Sequence, residues 1–263
     1  MLVKPGSKID LKAIDPCDTG AYASPEEAEE PLQKQLKELV QLQNLLYAEN
    51  RHSVLIILQG MDTSGKDGTI RHVLSGLSPL GVRVKAFKAP SEEELAHDFL
   101  WRVHQAMPRA GDIAIFNRSH YEDVLVARVH DLVPRKVWKN RYEQINEFEK
   151  IMVKNGVLIL KFFLHISKAE QKERLQARLD DPTRYWKFSL HDIEERHFWS
   201  DYRKAYEVML EECSTKWAPW HIVPANHKWY RNLIVAEVLV EALRGLDLKY
   251  PPPAVDLSKI EIQ

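Results

Sequence analysis

The segment Gly60-Met61-Asp62-Thr63-Ser64-Gly65-Lys66-Asp67-Gly68-Thr69 holds the most concentrated chemical signal in the chain. It contains the spacing G-x-x-x-x-G-K. Glycines let a backbone wrap closely enough for its N–H groups to point at phosphate oxygens. A helix N-terminus adds partial positive charge there, and Lys66 adds a full one. Thr63, Ser64, Gly65, Lys66, Asp67, Gly68 and Thr69 are therefore candidate phosphate contacts. Asp67 stands where a Ser or Thr normally reaches Mg²⁺. Two carboxylates, Asp62 and Asp67, flank the lysine instead, and carboxylates are good Mg²⁺ ligands beside phosphates.

A second signal is Asn117-Arg118-Ser119-His120-Tyr121-Glu122-Asp123, which closes a short apolar run. Many phosphate-loop enzymes carry Asp where this chain has Asn117. Arg118 suits bidentate phosphate binding. Glu122 joins Asp62 and Asp67 as a candidate metal ligand, although an acid near a helix start is also favoured by the dipole alone. Asn117, Arg118 and Glu122 are the candidate nucleotide contacts. A third signal lies in residues 172–204. Arg174 and Arg178, four apart, share a helix face, and Arg184 and Lys187 follow the turn at Asp181-Pro182. These cations can converge on a polyanion. Phe198, Tyr202, Ala205 and Met209 form a stripe read as lid core, while Trp186 and Phe188 leave base stacking open. His120 has no His or Cys at i+4 and HExxH is absent, so all 11 histidines are read as structural.

The elements that must position these residues alternate. Candidate strands are Ser53–Leu58, Val82–Phe87, Asp112–Phe116, Val157–Ile166 and His221–Pro224, short and largely apolar as parallel strands covered on both faces should be. Helical patterns occupy about 26–50, 68–77, 92–106, 120–130, 135–155, 168–180 and 228–244. The fold class is α/β: three α/β/α layers with a five-stranded parallel sheet. Ligands of such sheets bind beyond the carboxyl ends of the strands, where the first two signals lie. Residues 1–24 read as a leading arm, 25–250 as a phosphate-loop domain with a helical lid inserted at about 178–211, and 251–263 as a tail opened by Pro251 to Pro253.

Composition removes several classes. The chain has 263 residues, 37 Lys plus Arg against 38 Asp plus Glu, and a net charge of −1. Bulk charge therefore gives no reason to expect nucleic-acid or membrane binding. No apolar run reaches the roughly 20 residues of a membrane helix. MLVKPGSKID has no signal-peptide character. Cys17 and Cys213 form no CxxC pattern, so no disulfide framework or zinc site is expected, and a reducing cytoplasm is the expected location.

GMDTSGKDGTI, IFNRSHYEDVLVARV, RLDDPTRYWKFS and APWHIVPANHKWYRN together resemble the polyphosphate kinase 2 family, and the Asn-Arg-Ser-His-Tyr-Glu-Asp form resembles its class III branch. The similarity runs in order from about residue 30 to 250. It implies a phosphate-loop kinase with a helical lid, similar to thymidylate kinase. It implies reversible transfer of a terminal phosphoryl group from inorganic polyphosphate to adenine and guanine nucleoside mono- and diphosphates, with Mg²⁺ and with Mn²⁺ tolerated. The family's catalytic roles fall on Asp62, Lys66, Arg118 and Arg178, and its assemblies are dimers or tetramers. Other branches have Asp at the place of Asn117, which bears on acceptor preference. An ATP-dependent nucleoside monophosphate kinase is the nearest rival. A nucleotide-binding switch is a more distant one, since Asn226-His227-Lys228-Trp229 fails the guanine-reading pattern Asn-Lys-x-Asp.

Overall fold

The structure is a computed structural model that describes residues 1–260 and residue 262. The last candidate tail positions, 261 and 263, lie outside the described residues. In chain order the elements are α1 (Pro25–Glu49), β1 (Ser53–Gln59), α2 (Lys66–Val73), β2 (Val82–Ala86), α3 (Glu92–Leu95), α4 (Trp101–Gln105), β3 (Ile113–Asn117), α5 (Val126–Val129), α6 (Arg135–Lys154), β4 (Val157–His165), α7 (Lys168–Leu179), α8 (Leu190–Glu195), α9 (Trp199–Glu212), β5 (Trp220–Pro224) and α10 (Lys228–Arg244). Five strands form one sheet in the order β2-β3-β1-β4-β5. Every pairing in it is parallel.

All seven residues of β1 are buried, so both faces of the central strand are covered. Helices α1, α2 and α10 pack together, and α5, α6 and α9 pack together. The three-layer α/β/α architecture follows. Its apolar centre is the run Val54 to Leu58 with Ile113, Ile115, Phe116, Phe162 and Leu164. The edge strand β2 departs from the expectation of two covered faces: Arg83, Val84, Lys85 and Ala86 are all exposed. Alternate cations are a common device on a free edge.

Two helical expectations are broken into pieces. The span 92–106 is split: α3 ends at Leu95, and Asp98 accepts from the Leu100 N–H in an Asx turn that leads into α4. The span 120–130 splits because Ser119 accepts from the Tyr121 N–H and starts a 3₁₀ turn, His120–Asp123, ahead of α5. Residues 1–24 are a packed segment rather than a free arm. Leu2 bridges antiparallel to His221, Val3 and Leu11 are buried, and Glu211 and Glu207 accept the N–H groups of Ile9 and Leu11. The segment covers the β5 edge, which would otherwise expose unpaired backbone. The segment expected to form a lid contains α8, α9 and two 3₁₀ turns, Pro182–Lys187 and Arg196–Phe198, and no strand among its described residues.

Candidate active site

The loop Gly60–Gly65 leaves β1 and enters α2 at Lys66. Gly60 (φ 150°) and Gly65 (φ 103°) take left-handed conformations. A Cβ at Gly60 would meet the Leu164 carbonyl oxygen, and one at Gly65 would collide with the Arg231 guanidinium. Thr63 also has positive φ, 64°, without being glycine. Non-glycine residues in this region concentrate where function requires the backbone shape. Lys66 Nζ donates to the carbonyls of Gly60 (2.8 Å) and Met61 (3.2 Å). An ammonium has three donors, so one N–H remains for the cavity that Lys66 lines. Burial, and then the charge of Arg118, pull Lys66 down to about 8.

Arg118 sits one residue beyond β3, again with positive φ, 60°. Its guanidinium donates to Asp62 Oδ1 at 2.6 Å and lies 3.7 Å from Glu122. Burial works against its charge, but Glu122 and Asp62 outweigh burial and hold its pKa above the ordinary value. Burial raises the pKa of Glu122, with Arg118 and Lys66 opposing. The turn that carries Glu122 is pinned from beneath. Lys161, fully buried in β4, donates to Glu149 (2.6 Å), Tyr121 Oη (2.9 Å) and the Cys213 carbonyl (2.7 Å). Tyr121 donates to Glu149 at 2.7 Å, and His120 approaches the same carboxylate at 3.4 Å. A buried pair so fully satisfied costs little to keep and much to break on one side. His120 is thus structural, as its sequence surroundings indicate.

Two cavities meet here. The first, about 980 Å³, lies over the loop and is lined by ten Lys and Arg residues against three Asp. The second, about 570 Å³, is walled by Val126, Leu132, Val133, Trp199, Tyr202 and Tyr206 among others, with Glu122 and Glu195. Both include Asp62, Phe87, Lys88, Arg118 and Asp192. Those five residues define the junction.

The structure brings most of the candidate residues into the first cavity: Asp62, Thr63, Gly65, Lys66, Asp67, Gly68, Asn117, Arg118, Arg174, Arg178, Arg184 and Lys187. Ser64 and Thr69 are fully buried and stand outside the lining. Thr69 Oγ1 donates to the Gly65 carbonyl at 3.1 Å, so these two shape the loop. Glu122 lines the second cavity only, whereas Asn117 lines the first only. Asn117 donates to Asp67 at 2.6 Å. Arg178 donates to Asp192 and to the Lys187 carbonyl, both at 2.9 Å. Arg174 is a brace, donating to the carbonyls of Thr63, Ala225 and Asn226 and to Glu170.

The three candidate metal carboxylates do not converge: Asp62 and Glu122 face Arg118, while Asp67 faces Asn117. Among the described residues no three His, Cys, Asp or Glu side chains are grouped to hold a metal. Beside phosphates Mg²⁺ commonly takes one or two protein carboxylates, with phosphate oxygens and water filling its shell, and Asp62 is one of the carboxylates at the junction.

Of the lid stripe, Ala205 and Met209 are buried core, while Tyr202 turns its hydroxyl to Glu195 at 2.6 Å on the wall of the second cavity. Trp186 is exposed at the rim of the first. Arg71, Lys88, Lys228 and Arg231 also line the first cavity and belong to none of the three sequence signals. Two clues existed for Lys228 and Arg231: both lie in the APWHIVPANHKWYRN segment, and both follow the fifth strand by a few residues, at the carboxyl edge of the sheet.

Residues 22–250 match the family described as Polyphosphate kinase 2 (PPK2). An AMP/ADP-polyphosphate phosphotransferase of Meiothermus ruber is 53% identical over 262 residues, covering 99% of this chain and 98% of the relative. An ADP-polyphosphate phosphotransferase of Rhodopseudomonas palustris is 47% identical, covering 94% of this chain and 89% of the relative. The crystal structure of a polyphosphate kinase 2 from Arthrobacter aurescens TC1 superposes with a TM-score of 0.93 at 43% identity, covering 98% of this chain and 95% of that one.

Proposed function

The chain belongs to the polyphosphate kinase 2 family, and from that premise we propose that it moves phosphoryl groups reversibly between polyphosphate in the first cavity and nucleoside mono- or diphosphates in the second. AMP becomes ADP, and ADP becomes ATP. The observation that carries this reading is the junction: a cavity rich in cations and a partly apolar one meet at Asp62 and Arg118.

The main difficulty of the reaction is repulsion between two polyanions, roughly 4 kcal/mol per charge pair at 4 Å with an effective dielectric of 20. Lys66 and the loop N–H groups hold the donor. Arg118, shared by both cavities, neutralises charge as it shifts from donor to acceptor. Arg178, tied to Asp192 across the lid, brings a second guanidinium when the lid closes. Closure also excludes water, which would otherwise hydrolyse the donor. The acceptor oxygen belongs to a phosphate whose second pKa is near 6, so it is ionised without a general base. Positioning and charge neutralisation suffice. Asp62, with contributions from Asp67 or Glu122, would hold Mg²⁺, or Mn²⁺ in its place, and the ion would supply positive charge against the repulsion of the phosphates.

The proposal extends to guanine nucleotides, because apolar walls discriminate weakly between bases. It extends to a cytoplasmic setting, which the two free cysteines suit. Among the described residues no helix is long and apolar enough to cross a membrane. It extends also to a dimer or tetramer, supported by exposed Leu80 and Val84 at the β2 edge.

The deciding experiment supplies polyphosphate, Mg²⁺ and ADP without ATP and follows ATP, then repeats with AMP and GDP. ATP formation is expected. No product from polyphosphate, together with ADP formation from ATP and AMP, would make this an ordinary nucleoside monophosphate kinase.

A further inference from the structure

Lys161 sits in the middle of β4, opposite Ile57 of β1 and Trp220 of β5. Its side chain and that of Glu149 in α6 are both fully buried. Leu160 and Phe162 on either side of it are apolar core. An apolar residue at such a place is often as stable as a buried ion pair, or more so, so the charge calls for a reason beyond stability. The ammonium spends its three donors on three different segments: Glu149 of α6, Tyr121 in the 3₁₀ turn after β3, and the carbonyl of Cys213. Cys213 is the C-terminal cap of α9, where an unpaired carbonyl and the helix dipole both favour a cation. Burial works against the Glu149 charge, but Lys161 and then His120 outweigh burial and hold its pKa below the ordinary carboxylate value.

Two of those segments build the second cavity. Tyr121 precedes Glu122 and follows Arg118 by three residues, and both of these line that cavity. The backbone between them is shaped closely: Arg118 has positive φ, and Ser119 Oγ accepts from Gln59 and from the Tyr121 N–H. Helix α9, whose last turn ends on Lys161, carries Trp199, Tyr202 and Tyr206 in the same wall. Lys161 itself lines neither cavity. The phosphate loop under the first cavity is braced separately, by Arg174 bonded to Thr63, Ala225 and Asn226.

We propose that Lys161 is a positioning residue for the nucleotide: it ties the turn that carries Glu122 and the end of α9 to one point, and so fixes the spacing of the acceptor wall. The proposal rests on the reading of the second cavity as the acceptor site. Glu149 is the counter-ion that lets the pin stay charged inside the sheet. Without the pin the turn and α9 keep their apolar packing but lose their common reference. Acceptor affinity then falls while donor affinity does not.

The test compares Lys161→Met, Lys161→Met/Glu149→Gln and Tyr121→Phe with the wild type. The double variant leaves no lone charge in the core, so it keeps the test open if Lys161→Met fails to fold. KM for ADP and for AMP should rise about tenfold in the double variant, since misplacement of binding groups by less than 1 Å is costly. KM for polyphosphate should stay at the wild-type value, and Tyr121→Phe should move the same way by less. A folded double variant with wild-type nucleotide KM overturns the proposal. So does a loss confined to kcat, or one shared equally by nucleotide and polyphosphate, because loss of folded enzyme alone would give that. Calorimetry with ADP and no polyphosphate separates this from the functional reading. If the wild type makes no ATP from polyphosphate, weaker ADP binding in the double variant still supports the pin. Equal ADP binding, or none to the wild type, overturns it.

Discussion

The cavity over the loop and its neighbour touch the same Arg118, yet they recognise by different physics. The first sets ten Lys and Arg against three Asp. Such a surface attracts any chain of phosphates, needs little shape complementarity, and weakens as salt screens it. The second has Val126, Val133, Trp199 and Tyr206 in its wall and keeps carboxylates within reach. It favours a ligand with an apolar, planar part and one anionic end. On the proposed reading the donor is held by charge and the acceptor by fit, with Arg118 paired to Asp62 at 2.6 Å on the shared boundary.

The most severe way to break this division is Arg118→Ala. Turnover should fall about 10³-fold with every donor and acceptor, because both cavities lose the same residue. Thermal melting should stay close to wild type, since the side chain is 40% exposed. Near-normal turnover would remove Arg118 from the mechanism.

Lys66 sharpens the donor side. Its pKa of about 8 means that the free enzyme loses this charge as pH rises through 8. kcat/KM for polyphosphate should then fall about tenfold per pH unit on the alkaline side. Lys66→Met should lower kcat/KM and abolish that limb, and a limb that persists in the variant belongs to another group. The sign for stability is opposite. An unfolded lysine retains its proton to about 10.4, so the Lys66 contribution to folding becomes more favourable between pH 8 and that value.

Salt offers a milder contrast. Raising ionic strength from about 0.01 M to 0.15 M shortens the screening length from about 30 Å to 8 Å. KM for polyphosphate should rise severalfold, while KM for ADP rises less. Equal sensitivity would erase the distinction between the cavities. The smallest effect belongs to Val133→Ala in the acceptor wall. Removing about two methyl-sized groups from a partly buried contact should cost on the order of 1 kcal/mol and raise KM for ADP about fivefold, with KM for polyphosphate unmoved.

Much of the lining of the cationic cavity was legible in the sequence. Asp62, Lys66 and Asp67 occupy one local motif, and Arg118 ends a strand that reads plainly as one. Arg178 shares a helix face with Arg174. The acceptor side was not legible, because its wall draws on residues 87–90, 122–133 and 191–206, which no periodicity links. In the sequence Asn117 and Glu122 belong to one short segment, yet the fold separates them. Asn117 extends from β3 toward Asp67, while the 3₁₀ turn after Ser119 carries Glu122 to the other cavity. The break at Asp98 was missed for a related reason. The run Glu92 to Gln105 has helix-forming composition, yet α3 stops at Leu95 and an Asx turn at Asp98 precedes α4.

Local patterns by themselves settled the parallel sheet, the loop at its edge and the phosphate chemistry, because backbone geometry and residue type act over a few neighbouring positions. Only the tertiary structure decided which charges are answered and which are not. Lys161 deep in β4 finds Glu149, and Arg118 finds Asp62, whereas Arg231, among the described residues, is bonded to Asn232 and lies near another cation, Arg174. The electrostatic role of a charge depends on burial and on neighbours a few ångströms away, and these neighbours come from segments that meet only when the sheet closes.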